Sequence, residues 1–173
     1  MKQNRTIIHT RGSLNAKVAL QYLKNQNSVN LSEYAWIEVD AAMILSGRTV
    51  YFNLSSIKNH FLLWYRSSDS PYGCALNLNG LTDITVEVAR ALATHKGLLY
   101  LDGLTNITVE VARALATHKG FSLQLRGLTD ISVEVARILA THKGILDLRD
   151  LRNISVEVDE LFKRFSEYRI FSR

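Results

Sequence analysis

Proline and cysteine are nearly absent from this chain: Pro71 and Cys74 are the only ones in 173 residues. A lone cysteine excludes an intramolecular disulfide framework and fits a reducing compartment. No apolar run is as long as a transmembrane helix, and nothing near Met1 resembles a signal-peptide core. A cytoplasmic protein that touches no membrane is expected. Neither sign of charge dominates, since 21 basic residues against 16 acidic ones give a net charge of +5. No basic run, RNA-binding signature or helix-turn-helix goes with that excess, so nucleic acid is disfavoured as a partner. The nine glycines are spaced by a repeat and form no phosphate-binding loop. Cys74 has no histidine at a telling position, and no converging carboxylate pair can be identified. The chain is therefore expected not to be an enzyme and to use no cofactor and no metal.

What the chain has in abundance is copies of itself. ITVEVARALATHKG occurs unchanged at 84–97 and 107–120, ISVEVARILATHKG follows at 131–144, and a worn copy begins ISVEVDELF at 154. Self-similarity at a fixed short period is the mark of a solenoid. An apolar pair precedes each copy: Leu76 and Leu78, Leu99 and Leu101, Leu123 and Leu125, Leu146 and Leu148. Their second members are 23, 24 and 23 residues apart. The same ruler reaches upstream to Phe52 and Leu54, Val29 and Leu31, and Ile8, and forward to Phe171 as a truncated last strand. It predicts one domain over 1–173 with about seven units: divergent to residue 75, near-identical over 76–158, then a cap over 159–173. The unit beginning at Leu54 fits worst, with Tyr65 where an alanine is expected and Pro71 nearby.

Within a unit, LLYLD and LQLRG alternate with period two, as in a strand with one buried face. Val111, Ala112, Leu115 and Ala116 instead recur at helical spacing. Thr85, Thr108, Ser132 and Ser155 stand where an N-cap is expected, and Glu87, Glu110, Glu134 and Glu157 fall in the first turn. Lys96, Lys119 and Lys143 are placed in the last turn, with Gly97, Gly120 and Gly144 as left-handed caps. Strand, helix and return strand make a parallel sheet. Strands about 4.8 Å apart and helices roughly 8–10 Å apart would bend the stack into a horseshoe with strands on the concave side.

The run LYLDGLTNIT followed by an alanine-rich helix resembles the leucine-rich repeat family, nearer its helix-bearing, ribonuclease-inhibitor-like type. The resemblance implies an α/β right-handed solenoid whose members mostly bind other proteins. The family usually carries Asn or Cys three residues after the second strand leucine. Here that column reads Arg11, Tyr34, Ile57, Leu81, Leu104, Leu128 and Leu151, so no polar ladder is expected.

Positions that change while the framework stays copied are the candidates for function. Beside the strand leucines, one column reads Asn30, Asn53, Asn77, Tyr100, Gln124, Asp147 and another Ser32, Ser55, Asn79, Asp102, Arg126, Arg149. A third includes Tyr51, Leu98 and Ser122. The expected site is therefore the concave face: Tyr51, Asn53, Asn77, Asn79, Leu98, Tyr100, Asp102, Gln124, Arg126, Asp147 and Arg149. Tyr51 and Tyr100 are its aromatic anchors, and Arg126 and Arg149 a basic end for an acidic segment of a protein or peptide partner. His95, His118 and His142 form a ladder that is expected to be a helix C-terminal residue inherited by duplication, where a cation complements the dipole, not a metal site. Trp36 and Trp64 read as packing at a rim or patching the irregular third unit. The principal reading is a monomeric, non-enzymatic protein-interaction scaffold. The alternatives are an electrostatic binder of nucleic acid or another polyanion, and a self-assembling structural module.

Overall fold

The structure, a computed structural model, describes residues 11–47, 75–152, 154–165 and 170–171. Parallel strands alternate with helices: β1 (Arg11–Leu14), α1 (Ala16–Lys24), β2 (Tyr34–Ile37), α2 (Val39–Leu45), β3 (Ala75–Asn77), α3 (Val86–Leu92), β4 (Leu98–Tyr100), α4 (Val109–Ala116), β5 (Ser122–Gln124), α5 (Val133–Leu139), β6 (Ile145–Asp147), α6 (Val156–Phe165) and β7 (Ile170–Phe171). β1 pairs with β2, and β3 to β7 form a second sheet in chain order. The leucine pairs set its register: Leu76 lies opposite Leu99, Leu99 opposite Leu123, and Leu123 opposite Leu146. These leucines and their partners two residues on are at most 1% exposed. Strands this short are held by that stack, since each fully buried leucine contributes roughly 1.5–3 kcal/mol. The last strand forms where the ruler expects it, but one residue out of step. Ile170 pairs with Leu146 and continues the leucine row, while Phe171 lies opposite Asp147.

The helices begin as the sequence dictates. The hydroxyls of Thr85, Thr108 and Ser132 accept the amide hydrogens of Val88, Val111 and Val135 at 3.2–3.3 Å, and Ser155 does the same for Val158. Ala89, Ala112 and Ala136 are wholly buried, small enough to let the helices lie close to the sheet. The ends differ from expectation. α3 stops at Leu92, so Lys96 lies beyond it, and Arg90, Arg113 and Arg137 hold the last-turn positions. Thr94, Thr117 and Thr141 close the ends by donating their hydroxyl hydrogens to the carbonyls of Ala91, Ala114 and Ile138 at 2.7 Å. The glycines after them are not left-handed, since among the described residues only Gly47 has a positive φ, 75°. They serve close approach instead: a Cβ on Gly120 would overlap the Gly97 carbonyl oxygen and lie 2.6 Å from the His118 ring.

The N-terminal units depart further. Val29 and Leu31 were expected on a strand, yet short 3-10 turns occupy Gln26–Ser28 and Leu31–Glu33. The cause is the run of asparagines. Asn25 accepts the Asn27 amide hydrogen at 3.0 Å and Asn30 that of Ser32 at 3.2 Å, local bonds that compete with a sheet ladder. Both apolar side chains stay buried all the same. The even ruler also breaks, because the unit at 29–46 is a direct neighbour of the unit at 76–93. Thr82 donates its amide hydrogen to the Ala35 carbonyl at 3.3 Å. Gly80 meets the Ser32 and Tyr34 carbonyls as Gly103 meets those of Asn79 and Leu81. The unit expected between them, with Tyr51, Asn53, Trp64, Tyr65, Pro71 and Cys74, lies outside the described residues, as does Ile8.

Trp36 in β2 is 56% exposed, so it does not pack at a rim as expected. At the other end Phe162 is 1% exposed and Leu161 packs beside the core, as anticipated for a cap. The side chains of Phe165 and Ile170, and all of Tyr168, lie outside the description. No described helix is long and apolar enough to cross a membrane.

Candidate functional site

The columns beside the strand leucines divide into residues tied to the turns and residues left free of them. Each turn after a strand presents one backbone N–H that the sheet does not use. In three units it is bound by the residue two positions upstream: Asn30 serves Ser32, Asn77 serves Asn79 at 3.1 Å, and Asp147 serves Arg149 at 3.3 Å. The units with Tyr100 and Gln124 in that place have no short acceptor of their own. There the preceding unit reaches across. Asn79 Oδ1 accepts from the Asp102 amide at 2.9 Å, and Asp102 Oδ1 from the Arg126 amide at 3.0 Å. The expected column is indeed apolar after Arg11, and the polar ladder runs upstream of it, from Asn79 and Asp102 two residues before that column and from Asn30, Asn77 and Asp147 four residues before it. Asn79 and Asp102 each have Oδ1 committed to it.

The basic end is altered as well. Asp147 was expected on the open face but is 3% exposed, clasped between two arginines. Arg126 Nε donates to its Oδ2 at 2.9 Å, and Arg149 donates to both oxygens at 2.8–2.9 Å. Burial pushes the Asp147 pKa up, but the hydrogen bonds from Arg149 and Arg126 outweigh it and hold the carboxyl below its ordinary value. The two guanidinium groups thus already have an acidic partner within the chain. Ser122, also expected to face outward, is buried. The sheet face that remains includes exposed Asn77 and half-exposed Leu98, Tyr100 and Gln124, with exposed Arg149 and the outer edge of Arg126.

A second site lies at the helix-to-strand corners, where the four-residue copy Thr-His-Lys-Gly recurs. His95, His118 and His142 are 4%, 3% and 5% exposed, a burial that does not suit the cation expected at the helix ends. Their rings stack, with centroids 6.5 and 5.6 Å apart and interplanar angles of 17° and 23°. Neither ring nitrogen of His118 or of His142 has a hydrogen-bond partner. Burial, then the charges of His142 and His95, push the His118 pKa down from 6.5 to about 3. Burial also lowers that of His142, partly offset by the backbone at Ala116 and Ile145, although neither closes a hydrogen bond of good geometry. Neutral rings are what this environment tolerates. No cluster of three metal-ligating side chains occurs among the described residues.

Beside the stack runs an open groove of about 970 Å³, lined by Lys96, Lys119, Lys143, His118, Phe121 and Ile145 among others. No carboxylate lines it among the described residues. Phe121 at its lip is 43% exposed. The copied motif was the available signal for this site: a corner carrying three identical lysines differs from a solvated helix face. Set against known protein families, curated proteins and solved structures, the chain matches none.

Proposed function

We propose that this chain is a non-enzymatic scaffold of the leucine-rich-repeat kind, a right-handed solenoid that binds a protein or peptide on its strand face. The observation that carries this is the division of labour in the turns. Where Tyr100 and Gln124 stand, the turn's N–H is served from the neighbouring unit by Asn79 and Asp102. Their side chains are thereby released from turn chemistry and lie half-exposed beside Asn77 and Leu98. A row of unit-specific side chains on rigid strands is the usual contact surface of a repeat protein. Tyr100 is the natural anchor, since aromatics dominate interface energetics. Half-buried Asn79 and Asp102 and buried Asp147 support the face and are removed from the contact set, whereas Asn77, whose Oδ1 also serves a turn, is exposed and stays in it. Tyr51 and Asn53 remain part of the proposal from sequence alone.

The test is photo-crosslinking in lysate with a photoreactive amino acid at position 124, and a control at Arg113 on the exposed helix face. A discrete adduct from 124, absent from 113 and abolished by Tyr100→Ala, supports the strand face. Adducts from 113 alone would refute it.

A further inference from the structure

We propose that the corner groove is a second docking site, and that its occupant is an extended acidic protein segment bearing carboxylates on alternate residues. Three observations converge on that chemistry. Lys96, Lys119 and Lys143 border one groove, and none of their ammonium groups is ion-paired among the described residues. The lining includes three cations and no carboxylate, so an anion entering it meets only attraction. At the ends of these helices the carbonyls of Ala91, Ala114 and Ile138 accept the Thr94, Thr117 and Thr141 hydroxyls, which blunts the negative end of each helix.

Spacing narrows the occupant. The buried histidines adjoin the lysines in sequence, and their rings advance by 6.5 and 5.6 Å from unit to unit. An extended chain presents every second side chain on one face, a repeat of roughly 6.6–6.8 Å. Glutamates at alternate positions thus fall near successive lysines, whereas adjacent glutamates point to opposite faces. A Cβ on Gly120 would lie 2.6 Å from the His118 ring and one on Gly144 2.9 Å from His142 Nε2, so the chain beside Lys119 and Lys143 passes close to the histidines. The site is distinct from the strand face and does not depend on it.

The probe is a short fluorescein-labelled peptide alternating Glu and Thr, with an isomer of the same composition in which all Glu are contiguous. Anisotropy titrations use the full chain at low salt. The alternating peptide is expected to bind more tightly than its isomer, and Lys96→Glu, Lys119→Glu and Lys143→Glu together to weaken it at least about tenfold, as three lost exposed ion pairs imply. Circular dichroism of that variant should be unchanged, because all three lysines are exposed. If the triple variant proves misfolded, the corresponding Lys→Gln variant and the isomer comparison decide. Tyr100→Ala should leave this binding intact. Absence of binding, equal affinity for the two isomers, or equal binding by the charge-reversed variant overturns the proposal. Tighter binding of an oligothymidylate than of the peptide does so too, and assigns the groove to nucleic acid.

Discussion

Acid should unfold this protein through its histidines before its carboxylates. His118 titrates near 6.5 when unfolded and near 3 when folded. Its folded pKa is depressed, so the neutral ring's contribution to stability is intact above 6.5 and is lost as pH falls toward 3. The full span corresponds to about 5 kcal/mol, and about 3 kcal/mol of it is gone by roughly pH 4.5. His142, shifted in the same direction, adds to the loss. Asp147 behaves oppositely in range: its depressed pKa keeps its contribution until the pH falls below the ordinary carboxylate value. Urea unfolding midpoints at about pH 7.5 and 4.5 therefore isolate the imidazoles. The expected result is a drop of about 3 kcal/mol or more in wild type and a much smaller one in His118→Phe/His142→Phe. That variant should also be no less stable at neutral pH, because four unpartnered buried nitrogens disappear with the rings. A wild-type profile flat between those pH values, or a double variant as acid-sensitive as wild type, would refute the reasoning.

The turn ladder gives a sharper genetic test: Asp102→Ala should cost about 1–3 kcal/mol by stranding the Arg126 amide, and Gln124→Asn should restore it by supplying the unit's own acceptor. Failure of that rescue in urea unfolding would mean the exchange of acceptors between units is incidental. Gly120→Ala should destabilise by about 1–3 kcal/mol or more, read as a lowered Tm, because its Cβ meets the Gly97 carbonyl and the His118 ring. Thr108→Ala should cost about 1 kcal/mol and Thr108→Ser much less, since only the hydroxyl caps Val111.

Much of this architecture was legible in the amino-acid order, for identifiable reasons. Leu76, Leu99, Leu123 and Leu146 signalled strands because a two-residue period has one buried face, and they pair with one another as spaced. Thr85, Thr108 and Ser132 signalled helix starts because capping is local chemistry. What was missed depends on contacts between units. Gly120 looks like a left-handed cap until the Gly97 carbonyl is seen against it. His118 looks exposed from its place at a helix end, whereas stacking across units buries it. Asp102 looked like a binding residue because its partner, the Arg126 amide, lies 24 residues away. At Val29 and Leu31 the spacing misled because Asn25 and Asn30 favour turns more strongly than two apolar residues favour a strand.

The junction between the unit at 29–46 and the unit at 76–93 bears on the order in which the chain folds. Every other described neighbour is one copy away in sequence, so its contacts close short loops and form early. The Thr82 to Ala35 hydrogen bond instead joins residues 47 positions apart, about twice a copy's length. By loop-closure entropy alone that costs about 0.6 kcal/mol more than a neighbouring contact. The stretch from β3 to α5 should therefore zip together first, with β1 to α2 docking afterwards onto its exposed end. In pulsed hydrogen exchange the amides of Leu101 and Leu125 would gain protection before that of Thr82. Simultaneous protection would show instead that the two halves fold as one cooperative unit.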